Sequence, residues 1–287
     1  MTIHESVIIT SPEWMRRFVA ARRAEGRRIA FVPTMGYLHE GHLSLVEKAS
    51  ELADCVIVSI FVNPMQFGPN EDLDRYPRDL DGDLQKLSGY PVQAVFCPAA
   101  TDLYPAGFQT SIHVERVSAP LCGAARPGHF TGVATIVLKL FNILRPDIAV
   151  FGLKDYQQFQ VIRTMVKDLD VPVEIVGCEI VRETDGLARS SRNVFLTPDQ
   201  RAAAVILHRT LEDAATWIST GRLVRASEVE LFLSERIAAE PQARIDYVSC
   251  RDAASLEAID VLDSPVVLAV AVFFGRTRLI DNRVISV

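Results

Sequence analysis

Hydrophobic positions in the first 180 residues alternate between two spacings. At 29–32 the chain reads Ile-Ala-Phe-Val ahead of Pro33, an apolar run that predicts a buried strand ending abruptly. Leu43, Val46, Ala49, Leu52 and Ala53 then recur at helical spacing. "CVIVSIFV" (55–62) is a continuous β-branched and aromatic run, as expected of a strand buried on both faces. A strand, a helix and a strand with this crossover length predict a parallel pair. The alternation goes on with "QAVFCP" (93–98) as strand, "VATIVLKLFNIL" (133–144) as helix and "DIAVFG" (147–152) as strand. "YQQFQVIRTMVKDL" (156–169) reads as helix and "VEIVGCEI" (173–180) as strand. This order predicts an α/β, Rossmann-like doubly wound sheet.

The pattern changes near residue 195. Thr197, Pro198 and Gln200 give a capping-box start with proline at the first helical position. One long helix to about Ser219 and a second over 226–239 are expected. "IDYVSC", "VVLAVAVFF" and "TRLIDN" follow as strands of a smaller α+β unit. The division expected is a catalytic domain over 1–185 and a C-terminal domain over 186–287. Residues 68–83, "GPNEDLDRYPRDLDGD", are acidic, punctuated by glycine and proline, and poor in apolar residues. They read as a surface loop, either a lid over a strand-end crevice or a plain solvent loop.

Composition narrows the class. The 287 residues, 49% hydrophobic and 23% charged, make an ordinary globular chain of two domains or one elaborated domain. A net charge of −6 argues against a broad basic face for nucleic acid or anionic lipid, though not against a small basic pocket. Five scattered cysteines without CxxC spacing predict reduced core thiols. The opening segment lacks the apolar core of a secretory signal, and the apolar stretch 265–275 is too short to span a bilayer as a helix. A cytoplasmic protein that binds neither nucleic acid nor membrane is the expectation.

Chemistry gathers after the predicted strands. In "FVPTMGYLHEGHLSLVEKA" (31–49), His39 and His42 flank Gly41 at the strand-to-helix turn of the first βαβ unit. Backbone N–H groups and the helix dipole favour an anion there, and Gly36 and Gly41 admit close approach. A catalytic zinc site needs a third ligand and commonly an i, i+4 pair, and neither is present. In "FGLKDYQQ" (151–158), Lys154 suits phosphate and Asp155 suits ribose hydroxyls or a magnesium shell; a solvated turn with Asp155 as N-cap is the alternative. In "LARSSRN" (187–193), two hydroxyls and a guanidinium form a phosphate fork or a polar linker. Asn63 and Gln66 in "VNPMQFG" (62–68) suit a small polar organic substrate, and Gln158 could join them. Arg126 and His129 in "ARPGHFTGV" (125–133) bind an anion or brace their loop.

Taken in order, "PTMGYLHEGH", "VSIFVNPMQF", "RPGHFTGV", "FGLKDYQQ", "DGLARSSRN" and the closing "RLIDN" (278–282) resemble the pantoate–β-alanine ligase (pantothenate synthetase) family over essentially the whole chain. HxGH alone marks only the wider nucleotidyltransferase group. The resemblance implies ATP-dependent condensation of pantoate with β-alanine through a pantoyl adenylate, with AMP and pyrophosphate released. It implies that 35–42, including Met35, Gly36, His39, Gly41 and His42, bind ATP, with His42 the residue usually taken as proton donor. Gly152, Lys154, Asp155, Val181, Arg189, Ser190, Ser191 and Arg192 are implied at ATP, and Gln66 and Gln158 at pantoate. His39, His42, Lys154 and Arg192 are the expected catalytic set, and Asn63, a polar side chain just beyond a strand, is expected beside the substrate. Magnesium, held mainly by the ATP phosphates, and a homodimer are also implied. Two departures stand out: Leu153 where the family commonly has Glu, and Arg189 where it commonly has Leu or Met. The rival readings are another HxGH nucleotidyltransferase and a non-catalytic nucleotide sensor.

Overall fold

A computed structural model of the chain describes residues 6–69, 71 and 73–286. It runs β1 (Val7–Ile9), α1 (Pro12–Ala24), β2 (Ile29–Thr34), α2 (Glu40–Leu52), β3 (Cys55–Ile60), α3 (Leu80–Leu87) and β4 (Val92–Phe96). Two single turns, α4 (Ala100–Leu103) and α5 (Cys122–Ala125), precede α6 (His129–Leu144), β5 (Ile148–Gly152), α7 (Tyr156–Asp168) and β6 (Glu174–Cys178). Then come α8 (Pro198–Ala203), α9 (Ile206–Ser219), α10 (Ala226–Ala238), β7 (Ala243–Asp252), β8 (Val266–Phe274) and β9 (Thr277–Ile285).

Among the described residues, β1 to β6 form a parallel sheet in the order β1-β4-β3-β2-β5-β6. β7, β8 and β9 form an antiparallel sheet. This is the expected α/β architecture with its smaller α+β partner. The chain divides into two compact units. The first takes the chain up to Val114, Arg126–Leu153 and Val161–Glu179; the second takes Glu115–Ala125, Lys154–Gln160 and the chain from Ile180. Helix α7 passes from the second unit to the first after Gln160.

Each unit has its own core. In the first, Ala30, Val32, Val56, Val58, Val95 and Val150 pack with Leu45, Val46 and Ala49 of α2. In the second, Leu207, Leu211, Val229 and Leu233 pack on Leu268, Val270 and Val272 of β8. All five cysteines are free thiols, and burial pushes those of Cys55 and Cys97 up to about 11.

Three local expectations needed correction. β2 does not stop at Val32 but continues through Pro33 to Thr34. Pro33 lies opposite Ser59 of β3, whereas β5 pairs only with Ala30 and Phe31, so a missing N–H is tolerated at that point. The single helix expected from 198 to 219 is two, α8 and α9. They are joined at the buried Ala204 and Val205, where the Leu207 N–H donates to Ala204 O in a tight i−3 bond. β1 and α1 were not expected at all. Yet α1 begins with Ser11 as N-cap, followed by Pro12, and ends with Arg22 and Arg23.

Candidate active site

The order of the parallel sheet reverses direction between β2 and β5, the place where open α/β sheets bind ligands beyond their strand ends. The turn after β2 carries the histidine pair. Gly36 has φ +81°, and a Cβ there would lie 2.9 Å from Ile60 Cγ2 and 3.1 Å from Asp83 Oδ2. Only glycine serves both demands. Tyr37 follows, also left-handed at φ +51°.

His39 is the N-cap of α2, and His42 is its third residue. His39 Nδ1 accepts from the Gly41 N–H at 3.1 Å, and His42 Nδ1 accepts from the His39 N–H at 3.3 Å. The two imidazoles thus perform a capping box, in the roles usually given to Ser or Thr and Glu. Their ring centroids lie 4.1 Å apart. An Nδ1 that accepts a hydrogen bond carries no proton, so each neutral ring bears its N–H at Nε2. The fold itself selects the donor tautomer of both histidines.

The turn's backbone amides are largely committed to the protein, contrary to the expectation that they are free for an anion. The Gly36 N–H donates to Thr34 Oγ1 at 3.2 Å. The Tyr37 and Leu38 N–H groups donate to the two carboxylate oxygens of Asp83 at 2.7 and 2.6 Å. Asp83 is 1% exposed. Burial lifts its carboxyl above the ordinary range, and the two amides and Lys86 offset this only in part. Lys86 Nζ lies 4.0 Å from Asp83 and donates to Leu38 O at 2.8 Å. Asp83 and Lys86, both on α3, therefore clamp the turn. Sequence reasoning placed Asp83 at the end of an acidic surface loop and missed this role. The signal available was Asp79, an N-cap residue at the start of α3.

The rest of 68–83 is likewise not one open loop. Asn70 and Asp72 lie outside the described residues. Glu71 is paired with Arg126, Tyr76 is buried, and Arg78 donates to the carbonyls of Leu73 and Tyr76. The Arg126 guanidinium holds the Glu71 carboxyl below the ordinary range, against the upward push of burial.

Beyond β3, Asn63 is buried at 1% exposure and engaged on every side. Its Nδ2 donates to Gln66 Oε1 at 3.2 Å and to Gly132 O at 3.1 Å; its Oδ1 accepts from Tyr104 Oη at 2.8 Å and from the Met65 N–H. Asn63 thus fixes the amide orientation of Gln66, whose Nε2 in turn faces Met35 Sδ at 2.9 Å. Arg126 and His129 brace the same loop: both hold the Gln66 carbonyl, at 3.3 and 2.8 Å. Gly132 lets α6 lie against this backbone, because a Cβ there would run into the Met65 carbonyl. Loop and helix start are one construction.

In the second unit, Lys154 and Asp155 lie in a single 3-10 turn ahead of α7. Asn282 Nδ2 donates to the Lys154 carbonyl at 2.8 Å. Of the neighbouring glutamines, Gln157 is consumed by Cys122 N–H, Val117 O and Pro120 O, and Gln160 by Tyr156 Oη and Ala253 O. Gln158 enters none of these bonds. Its half-buried side chain is the glutamine the structure leaves for other use. Val181 and Arg189 face each other across a short hairpin, with the Arg189 N–H donating to Val181 O at 2.9 Å. The Arg189 guanidinium lies 3.6 Å from Glu183, an anchor that sequence reasoning did not foresee. Ser190 caps the following 3-10 turn through the Arg192 N–H, and Ser191 is buried. Back in the first unit, Gly152 closes β5, with nothing within 4 Å of the place its Cβ would take.

No helix among the described residues is long and apolar enough to cross a membrane. Nor do three or more His, Cys, Asp or Glu side chains gather there as a metal cage.

Comparison with known proteins finds relatives along almost the whole chain. The family model described as Pantoate-beta-alanine ligase matches residues 7–284. The chain is 54% identical to the pantothenate synthetase of Moorella thermoacetica, over 95% of this chain and 96% of that one. It is 51% identical to that of Desulfitobacterium hafniense, with the same coverage. Among solved structures, the pantothenate synthetase of Thermus thermophilus superposes with a TM-score of 0.91 at 42% identity, covering 96% of this chain and 98% of that one. The pantoate–β-alanine ligase of Francisella tularensis, solved with a β,γ-ATP compound and β-alanine, gives 0.77 at 34% identity, covering 97% of both chains. With a match this long, and with the histidine pair, the Gln66 loop and the lysine turn each built as described, the chain belongs to the pantoate–β-alanine ligase family.

Proposed function

We propose that the chain makes pantothenate in two half-reactions. A carboxylate oxygen of pantoate attacks the α-phosphorus of ATP, the α–β phosphoanhydride bond breaks, and pyrophosphate leaves. The amine of β-alanine then attacks the acyl carbon of the pantoyl adenylate, loses a proton, and expels AMP. The reciprocal cap of His39 and His42 carries this reading. It holds two Nε2–H donors at the N-terminus of α2, where the helix dipole favours an anion.

The first step needs no general base, since a carboxylate with a pKa near 4 is already ionised at neutral pH. It needs in-line placement and neutralisation of charge growing on the phosphates. Lys154, Ser190, Ser191, Arg192, His39 and His42 are assigned to those oxygens. Met35, Gly36, Gly41, Gly152, Asp155, Val181 and Arg189 are assigned to the rest of the nucleotide. Gln66 and Gln158 hold pantoate, and Asn63 acts by orienting Gln66. Magnesium fits as a passenger on the phosphates, where it would neutralise charge; the described residues offer it no cage of their own. The ligands named for the Francisella tularensis structure support ATP and β-alanine as substrates. A cytoplasmic homodimer completes the proposal.

The deciding measurement is pantoate-dependent exchange of pyrophosphate into ATP, followed by AMP release on adding β-alanine. Exchange that ignores pantoate would indicate another nucleotidyltransferase, and nucleotide binding without exchange a sensor.

With Nδ1 accepting and its one proton at Nε2, neutral His42 is a hydrogen-bond donor rather than a proton donor. His42→Gln, which keeps an N–H donor but does not titrate, is expected to retain much of the adenylation rate. His42→Ala is expected to lose it. Equal losses in the two variants, measured by exchange, would return the proton to the mechanism.

A further inference from the structure

The closing "RLIDN" segment has no role in the proposed reaction, yet Asn282 reaches the lysine turn and Asp281 reaches the hairpin that leads into Ser190–Arg192. Asp281 and Asn282 are neighbours on β9, opposite Val270 and Ala269 of β8. Successive strand residues point to opposite faces of a sheet. Asp281, 3% exposed, receives both terminal nitrogens of Arg182, at 2.7 and 2.9 Å. Arg182 also donates to Gly186 O, so this ion pair seats the hairpin that leads into Ser190, Ser191 and Arg192. On the other face, the Asn282 amide donates to the Lys154 carbonyl, and the Asn282 N–H donates to Asp281 Oδ1 at 2.8 Å. Tyr156 and Gln160 tie the start of α7 to Ala253 O, just past β7.

Lys154 and the 190–192 stretch are more than thirty residues apart in sequence; β9 holds the first through Asn282, and through Asp281 it holds the hairpin that leads into the second. We propose that Asn282 is a positioning residue for Lys154. Its amide fixes the backbone from which the ammonium projects, while Asp281 fixes the neighbouring hairpin, so that one strand sets the spacing between the two phosphate-contacting groups. This rests on the assignment of Lys154 and Arg192 to ATP. Neither Asp281 nor Asn282 need touch a substrate.

The test is Asn282→Ala and Asn282→Asp, each assayed by pantoate-dependent pyrophosphate exchange with ATP and pantoate varied separately. The aspartate is nearly isosteric but, when ionised, presents an acceptor to the Lys154 carbonyl. A displacement of about 1 Å costs on the order of a hundredfold in rate, so kcat/KM for ATP should fall about tenfold to a hundredfold. The KM for pantoate should stay within about twofold of wild type, because Gln66 is held independently by Asn63, Arg126 and His129. Losing a buried amide also lowers the unfolding midpoint, so the variants are assayed at a temperature where circular dichroism shows each of them folded. The Asp variant should recover toward wild type as pH is lowered, since a neutral carboxyl regains a donor. An active wild type whose variants match it, or lose both substrates equally, overturns the positioning role and leaves the functional reading intact. A wild type with no exchange overturns both.

Discussion

Replacing Lys154 with alanine is expected to lower kcat about a hundred- to a thousandfold, the loss of roughly 3–4 kcal/mol that removal of one transition-state charge partner brings. On the proposed assignment its ammonium meets charge that grows only as the phosphorus becomes five-coordinate, so the loss should appear in kcat more than in KM. The fold should survive. The described hydrogen bond that anchors this residue runs from Asn282 to its backbone carbonyl, which alanine retains. Single-turnover adenylation alongside circular dichroism separates the cases. A Lys154→Ala protein that is fully active, or that fails to fold, would contradict the assignment.

Asp83→Ala should have the second largest effect, and on stability as much as on rate. Alanine would strand the Tyr37 and Leu38 N–H groups, beside a Leu38 that is 2% exposed. Each stranded buried donor costs about 1–3 kcal/mol, so a loss of a few kcal/mol and a lower urea midpoint are expected. Rate should fall as well, because the clamped turn leads directly into His39. Asp83→Asn keeps one acceptor oxygen and should fall between wild type and alanine. If Asp83→Ala matched wild type in both midpoint and exchange rate, the clamp would have no energetic weight.

The parallel sheet was legible because its strands are continuous apolar runs separated by helices with clear 3.6-residue spacing. β1 escaped notice because three residues, Val7, Ile8 and Ile9, give no period to read. The break between α8 and α9 is a tight i−3 turn at the buried Ala204 and Val205, residues that local propensity alone would let continue the helix. The histidine pair was visible as local spacing, but its capping geometry was not, since it departs from the usual capping residues. Asp83 lies 46 residues from its amide partner Tyr37, and Asn282 lies 128 from Lys154, separations that no local pattern can report. Among the glutamines, sequence suggested Gln158. The structure separates it from Gln157 and Gln160, whose side-chain amides are already committed.

The composite make-up of the second unit bears on how the chain acquires competence during synthesis. Lys154 leaves the ribosome 128 residues ahead of Asn282, its fastening in the last strand of the antiparallel sheet. Closing contacts across so many residues is slow, and no shorter nascent chain can make this one. The lysine turn therefore waits, unanchored at Asn282, until translation has passed the final hairpin. A chain released before that point would carry every group assigned to the chemistry and still lack the strand that holds Lys154 in place.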